Sequence, residues 1–581
     1  MSETGARISR IYSNFRGADF RGEEINLQRS PDCLNVWKDY KETESIRTRP
    51  AMELKETFGA TVRGIFFYNG VLLVHSGTSL YKVANGVRTQ IYTGLRDAES
   101  QSFVYNGIWY FKDGKNYLRY DGFEIKKVES YIPITSIGRK PSGGGTIHED
   151  VNMLQSKRIN TFVSDTVYET VQGINIPKGS VYYYLDTRDI DTNYVPRVWV
   201  NGEECFLNTA LPDASKIAFE VDYALGRIMF HTAPPPPLTD GQDNVTIEFS
   251  KAVPGYGDDI LKCTMLQVFD NRVFLSGNPD KPNVVWHCSL DDPTYFSDLD
   301  YYKEGLDAAD VKGIVAGNNA LWVFREPSDA NTTVFYHTPT IDSEYGKIYP
   351  SQHSSVTTGC VGKAINFNDD IIFFSERGME GISGDITTEQ IVAHRSSFVD
   401  RKMISEKNYK NMVLAEWEGY LIVFIGNKAY LADSRTAFAY DDHIEYEWFY
   451  WEMEKEITCA RVNGGILYLG TSDGVYTLTD LDGDVKSYWV TPKDKFKSPH
   501  KLKTTNKRGC VVEATGDITV YAKTEDTDFE PIGSYENVTD YFVSRIKRKK
   551  FKDIQLKFYS NTRFSLETAT LECFIGGYIK R

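Results

Sequence analysis

The chain has no apolar run long enough to span a bilayer, and its mean hydropathy of -0.40 belongs to a water-facing protein. Its opening, MSETGARISR, is polar and lacks the apolar stretch of a secretory leader, so a chain made in a cytosol is expected. Cysteine is sparse: Cys33, Cys205, Cys263, Cys288, Cys360, Cys459, Cys510 and Cys573 are scattered, with no two at metal-site or redox-motif spacing. Most sit in apolar strand contexts such as ILKCTML and ITCARV, which predicts small buried thiols in a reducing compartment. Positive charge is also short. With 66 basic and 80 acidic residues the net charge is -14, which gives nucleic acid no global attraction and disfavours a DNA-binding regulator. A DNA conduit remains open, because a negative wall would repel phosphate and keep a passing duplex from sticking. Helical periodicity of useful length is missing throughout.

What the chain has is aromatic and strand-forming. Aromatic residues make up 13% of it, with 37 Tyr and 32 Phe, and such side chains favour pleated, half-buried surfaces. One phrase recurs: an apolar strand, an Asn-Gly-like turn, then a second apolar strand. It appears as IFFYNGVLLVHSGTSLYKV at Asn69-Gly70, SFVYNGIWYFKDGKNYLRYDG at Asn106-Gly107 and LQVFDNRVFLSGNPD at Asp270-Asn271. It returns at Asn318-Asn319, Asp369-Asp370, Glu418-Gly419 and Asn463-Gly464. Asn-Gly and Asp-Gly mark hairpins because both central residues of a type I′ turn need positive φ. From Asp270 onward the turns are spaced by roughly 45 to 51 residues, the length of a four-stranded propeller blade, and removing one insertion of about 110 residues restores that period earlier in the chain. The expected fold is all-β: a β-propeller of about seven blades with an inserted antiparallel β-domain and a C-terminal β-sandwich.

The expected boundaries follow from composition. Residues 1–50 read as an irregular, Arg-rich arm ending in a strand that closes the ring. The propeller spans 51–140 and 259–486. The insertion, 141–258, opens at the linker-like Pro141-Ser142-Gly143-Gly144-Gly145 and shows hairpin signals at Asn201-Gly202 and Leu225-Gly226, with a stiff polyproline edge at Pro234 to Pro237. Residues 487–581 form the sandwich, with strands in CVVEATGDITVYAKTED, FKDIQLKFYS and FSLETATLECFIGGYI.

No complete catalytic or metal motif is present, so no catalytic residue, cofactor or metal is assigned. The pairs Asp258-Asp259, Asp291-Asp292, Asp369-Asp370 and Asp441-Asp442 are adjacent, and neighbours on a strand point to opposite faces, so turn duty is expected of them. Ser289 to Phe296 resembles the Asp-box of sialidase propellers but has Pro293 and Phe296 where that motif has Gly and Trp, and it does not recur. Asp480-Leu481-Asp482-Gly483-Asp484 starts like a calcium loop yet places its Gly wrongly and carries Thr491 at the closing Glu position; a tight turn is expected. His148-Glu149-Asp150 lacks a second His at helical spacing, Gly143 to Gly145 lacks the Lys-Ser/Thr of a phosphate loop, and there is no Gly-x-Ser-x-Gly elbow. One charge run stands out: Arg545, Lys547, Arg548, Lys549, Lys550 and Lys552, with Phe551 among them. It reads either as a solvated face or as a docking patch for an acidic protein or the DNA backbone, with Phe551 as an anchoring contact.

The phrase CLNVWKDYKETESIRTRP, the NG-type blades, VVWHCSLDDPTYF and the closing WVTPKDKF to FIGGYIKR together resemble the propeller proteins of tailed-phage tails, the tail tubular protein B or tail nozzle family and the related packaged-DNA stabilisation proteins. The resemblance implies a structural virion protein assembled in the bacterial host cytoplasm. It would be a homohexamer lining the DNA exit channel below the portal and adaptor ring, with tail fibres or other tail proteins as partners and genomic double-stranded DNA in transient passage. Two other readings stay open: a receptor-binding or baseplate protein that grips a cell-surface glycan, and a propeller glycosidase with two or three carboxylates converging at a central pocket.

Overall fold

The computed structural model describes residues 6–22, 25–39, 44–207, 217–329, 332–343, 346–383, 391–440, 443–479, 484–547 and 550–578. The fold is an all-β propeller. Among the described residues helix is confined to the single turns Asp258–Leu261 and Asp400–Met403 and a 3-10 turn at Tyr409–Asn411, and none is long and apolar enough to cross a membrane. The chain forms two compact units, one of Met1–Ser100, Ala309–Thr338 and Ser351–Arg581, the other of Gln101–Ala308 and Pro339–Pro350.

Four-stranded antiparallel meanders are the repeated element. The first unit holds five, at 62–93, 311–353, 364–394, 413–452 and 459–479, the last taking Ala51–Thr57 as its fourth strand. The second unit holds two, at 101–127 and 265–303. Their second strands, such as Arg272–Ser276, Ala320–Arg325 and Tyr420–Ile425, are buried along their whole length. That is why they read as continuous apolar runs rather than alternating ones: both faces of the strand are covered. Phe324 of one meander stacks on Phe373 of the next with ring centroids 5.0 Å apart.

The turns follow the predicted chemistry, with positive φ at Asn69 and Gly70, Asn106 and Gly107, Asp270 and Asn271, Asn318 and Asn319, and Glu418 and Gly419. Two turns shift by one residue. Phe367 pairs with Asp370, so Asn368 and Asp369 make that turn and Asp370 begins a strand; Asn463 pairs with Ile466, so the turn is Gly464-Gly465. The strands that follow bury Ile371 to Ser375 in the first case and Leu467 and Leu469 in the second.

Residues 1–50 are not a separate arm. Ala6–Tyr12 pairs along Phe564–Tyr578, Cys33–Leu34 pairs with Ser487–Val490, and Val36–Trp37 pairs with Ile46–Thr48, which in turn pairs with Phe564–Tyr578. The expected C-terminal sandwich of 487–581 is therefore an eleven-stranded sheet with four N-terminal strands in it, and its longest strand, Lys501–Thr524, changes partners along its length. The physical reason is burial. Tyr12, Phe15, Val36, Trp37 and Ile46 enter one core shared with the meanders 364–394, 413–452 and 459–479 and with the C-terminal strands. The strand expected at the end of the arm lies just beyond it, at Ala51–Thr57, where it pairs with Gly474–Thr479.

The insertion starts earlier than Pro141, because Ile134–Arg139 belongs to its six-stranded sheet. Pro141 to Gly145 is then a loop inside the domain rather than a linker, joining that strand to Thr146–Ile147. Nor is the domain wholly antiparallel: Ile134–Arg139 runs parallel to Lys157–Phe162, and Phe206–Leu207 parallel to Ala218–Asp222. A second, four-stranded sheet shares its core with the first through Phe162, Tyr183, Val198, Phe219, Ile228, Phe230, Ile247 and Phe249. The proline run forms no strand; the Pro235 carbonyl accepts from Ser164 Oγ at 3.0 Å and Asn244 Nδ2 at 2.9 Å.

Candidate functional site

The basic run near the C-terminus edges a cleft of about 190 Å³ in the eleven-stranded sheet. Arg545 and Lys547 are exposed while Ile546 between them packs on the core, the alternation an extended segment imposes. The cleft floor is apolar, made by Ala522, Ile532, Ile546, Phe551 and Ile554; Thr505, Thr524, Thr527 and Glu530 add polar groups. Thr505 is buried, and its hydroxyl has no hydrogen-bond partner among the described residues. Lys550 and Lys552 are exposed beyond the cleft lining, and Arg548 and Lys549 lie outside the described residues. The end of the run is fixed by its backbone: the Lys552 and Asp553 amides donate to the Glu525 carboxylate at 2.7 and 3.3 Å, and Lys503 Nζ donates to the Lys552 carbonyl at 2.7 Å. Burial pulls the Lys503 ammonium below the usual lysine range, and its carbonyl contacts hold it in place. Phe551 is buried under the cleft and faces Phe496 at 6.4 Å, so it serves the fold.

The arrangement suits an anionic group carried on an apolar stem: Arg545 and Lys547 for the charge, the floor for the stem. The cations were legible in sequence as a run. Thr505, Thr524 and Ile532 were not, because they come from strands that join the run only through sheet pairing.

The carboxylate pairs disperse into structural duties. Asp258 pairs with Lys262 at 2.8 Å and Asp259 with Lys281 at 2.7 Å. Asp291 accepts from Tyr105 Oη at 2.6 Å, and Asp292 caps Thr294. Asp370 binds Arg395 at 2.8 Å and Tyr446 at 3.0 Å. Asp441, Asp442 and Asp480 to Gly483 lie outside the described residues. Glu149 accepts from the Ile134 amide at 2.6 Å and Asp150 from Ser297 at 3.1 Å, which ties the expected non-zinc triplet to the edge of the inserted domain. Burial pushes all eight thiols up to about 12, so none is a thiolate nucleophile at neutral pH.

Two groupings had no sequence signal. Three turns of the first unit border a pocket of about 240 Å³ lined by Asn368, Glu416, Trp417, Glu418 and Gly465, where burial pushes the Glu416 carboxyl up. His394 sits between Glu380, 3.2 Å from Nδ1, and Asp400, which meets Nε2. Burial alone would lower its pKa, but the two carboxylates override that and hold the imidazolium up to about 10.

No protein-family model matches the chain, and no curated protein matches it. Among solved structures it is similar to BamB from Moraxella catarrhalis, at 11% identity over 74% of this chain and 97% of that one, with a TM-score of 0.33. Hsv2 of Kluyveromyces lactis matches at 8% identity over 68% of this chain and 97% of that one, TM-score 0.26. An exo-beta-1,3-galactanase from Phanerochaete chrysosporium matches at 8% identity over 53% and 94%, TM-score 0.22. Likeness at this level says nothing about activity. The chain is an all-β protein of β-propeller fold.

Proposed function

We propose that this chain is a structural virion protein of a tailed phage, a tail nozzle or head-completion component that assembles as a homohexameric ring around the DNA exit channel. The observation that carries the reading is the shared core of the first unit, where the N-terminal strands are woven between propeller meanders and the C-terminal sheet. A large apolar junction of this kind suppresses relative domain motion, as a part that passes load between stacked rings requires. The basic cleft adds one positive face to a chain of net charge -14, the complement an acidic neighbour needs. The sequence resemblance points the same way.

Cryo-electron microscopy of particles containing the protein tests this. A sixfold ring on the tail axis supports the reading; peripheral threefold copies favour receptor binding, and absence from particles reopens the enzyme. Charge reversal at the cleft, Arg545→Glu with Lys547→Glu, is expected to abolish incorporation into particles while the monomer stays folded by circular dichroism. Normal incorporation would return the run to a solvated face.

A further inference from the structure

Among the described residues, the inserted domain carries one element that none of its sheets covers. Strands Val167–Val171 and Ile174–Lys178 pair with each other and with no other described strand, through a turn at Gln172 and Gly173 that both have positive φ. Nine of their ten residues are exposed, Pro177 being half-buried.

The register sorts the side chains by chemistry. Val167 lies opposite Lys178, Glu169 opposite Ile176 and Val171 opposite Ile174, so these six share one face. Tyr168, Thr170, Asn175 and Pro177 share the other. The first face thus holds four β-branched apolar residues, and its only charges, Glu169 and Lys178, neutralise each other at 3.0 Å. The second face is more polar and is braced by Thr170 Oγ1 donating to Asn175 Oδ1 at 2.8 Å. Val167, Val171, Ile174 and Ile176 are 63%, 45%, 67% and 47% exposed. Single exposed apolar residues are ordinary on any surface, but their segregation to one face of a strand pair is the pattern of a face that is covered. An isolated two-stranded hairpin is at best marginal in water, which makes the same point from stability.

We propose that this apolar face is a subunit contact, seated on a second copy of this chain in the assembled ring; the inference rests on the ring-forming reading above. Size argues for a copy over an unrelated partner. Four side chains on a short hairpin fall far below the roughly 800 Å² per partner of a stable pairwise interface. So small a face holds only as one of several contacts made in parallel, which is what a closed ring of identical subunits provides. Charge argues the same way. The hairpin carries no net charge, so it offers no cationic face to a lipid surface or to nucleic acid. In a chain of net charge -14 it is also a place where two copies approach without like-charge repulsion.

The test uses the full chain and sedimentation velocity over a concentration series. Val171→Asp with Ile174→Lys puts charge on two of the four apolar positions of the face, and because these residues are cross-strand partners the new pair keeps the hairpin closed. Thr170→Asp with Asn175→Lys places an equivalent pair on the polar face. The apolar-face variant is expected to raise the assembly threshold by about tenfold or more, with unchanged circular dichroism and melting, while the polar-face variant assembles like the wild type. Amides 167–178 are expected to gain exchange protection only in the assembled wild type. If the wild type assembles and the apolar-face variant assembles equally well, the hairpin inference falls and the ring stands. A wild type that is monomeric at every concentration overturns both. Flotation of the wild type with phosphatidylcholine–phosphatidylglycerol vesicles, lost in the apolar-face variant, would assign the face to a lipid surface instead.

Discussion

The core that ties the chain's two ends together and the core of the inserted domain differ in how far along the sequence their contacts reach. In the first, Trp37 stacks on Trp417 at 5.2 Å and meets Trp451 edge-on at 5.6 Å. Its neighbours are held by bonds that reach across the sequence: Tyr420 Oη donates to the Lys38 carbonyl at 2.8 Å and Trp451 Nε1 to the Val36 carbonyl at 3.3 Å. Charge is buried there too. Lys38 and Arg16 both reach Glu447, at 3.2 and 2.6 Å, and Arg29 lies 3.9 Å from the Phe398 ring centroid with its guanidinium pulled down to about 10 by burial. Backbones come so close that Ala18 N donates to the Trp448 carbonyl at 2.6 Å; a Cβ on Gly17, whose φ is +81°, would meet that oxygen at 2.2 Å. In the inserted domain the core is local, with Phe162, Tyr183 and Phe230 in edge-on contact, and its buried polar groups find near partners, as where Asn160 Nδ2 donates to Asp186 at 2.8 Å. The inserted core draws its buried residues from one continuous stretch, Phe162 to Phe249. The first core is a clasp that closes only when the two ends of the chain meet, a late event by loop-closure entropy.

The largest expected effect comes from opening the clasp. Trp37→Ala is expected to cost about 3–5 kcal/mol in urea unfolding, with exchange protection lost together over 6–57 and 487–578 and kept over the inserted domain. Independent loss in the two segments would break the comparison. Ile228→Ala, in the inserted core, is expected to cost about 2–5 kcal/mol, confined to exchange over 134–250. Spread of that effect into the first unit would show that the cores are coupled.

Acidity separates the units more finely. The folded pKa of His394, about 10, exceeds its unfolded value of 6.5, so the stability it contributes is complete below pH 6.5 and is lost as pH rises through about 10. Glu380 and Asp400 are the carboxylates that face it. In the second unit, burial pushes the Asp300 carboxyl up to about 6 from 3.8, against the pull of Arg272 and with Asp150 and Asp298 adding to it; His287 stands 3.8 Å away. Its contribution is complete below pH 3.8 and is lost as pH rises through about 6. Exchange-detected stability should therefore fall in different windows for the two units, and His394→Gln and Asp300→Asn should each flatten only their own. The smallest effect is expected from Arg197→Ala, an exposed pair whose loss should leave the melting temperature unchanged.

The hairpin turns were legible because positive φ is a local demand that Asn, Asp and Gly meet. The two one-residue shifts, at Asn368-Asp369 and Gly464-Gly465, arose where three adjacent residues could all serve and burial of the following strand chose between them. The N-terminal strands were illegible because Cys33–Leu34 and Val36–Trp37 are two residues long; the first pairs with Ser487–Val490 and the second is packed against Trp417 and Trp451, all distant in the chain. Of the cleft, sequence showed the cations but not the floor, nor the burial of Phe551, because a phenylalanine beside lysines looks exposed until sheet pairing turns it inward.

Sequence by itself determined the strand class, the turns, the repeat of about one blade length and the absence of a helical layer, since each depends on residues a few positions apart. Only the tertiary structure decided that the two ends of the chain share one sheet, that the insertion begins at Ile134, and that a basic run edges a cleft. A β-ladder joins backbones without regard to side chain, so which distant strands pair is settled by which apolar faces bury each other best.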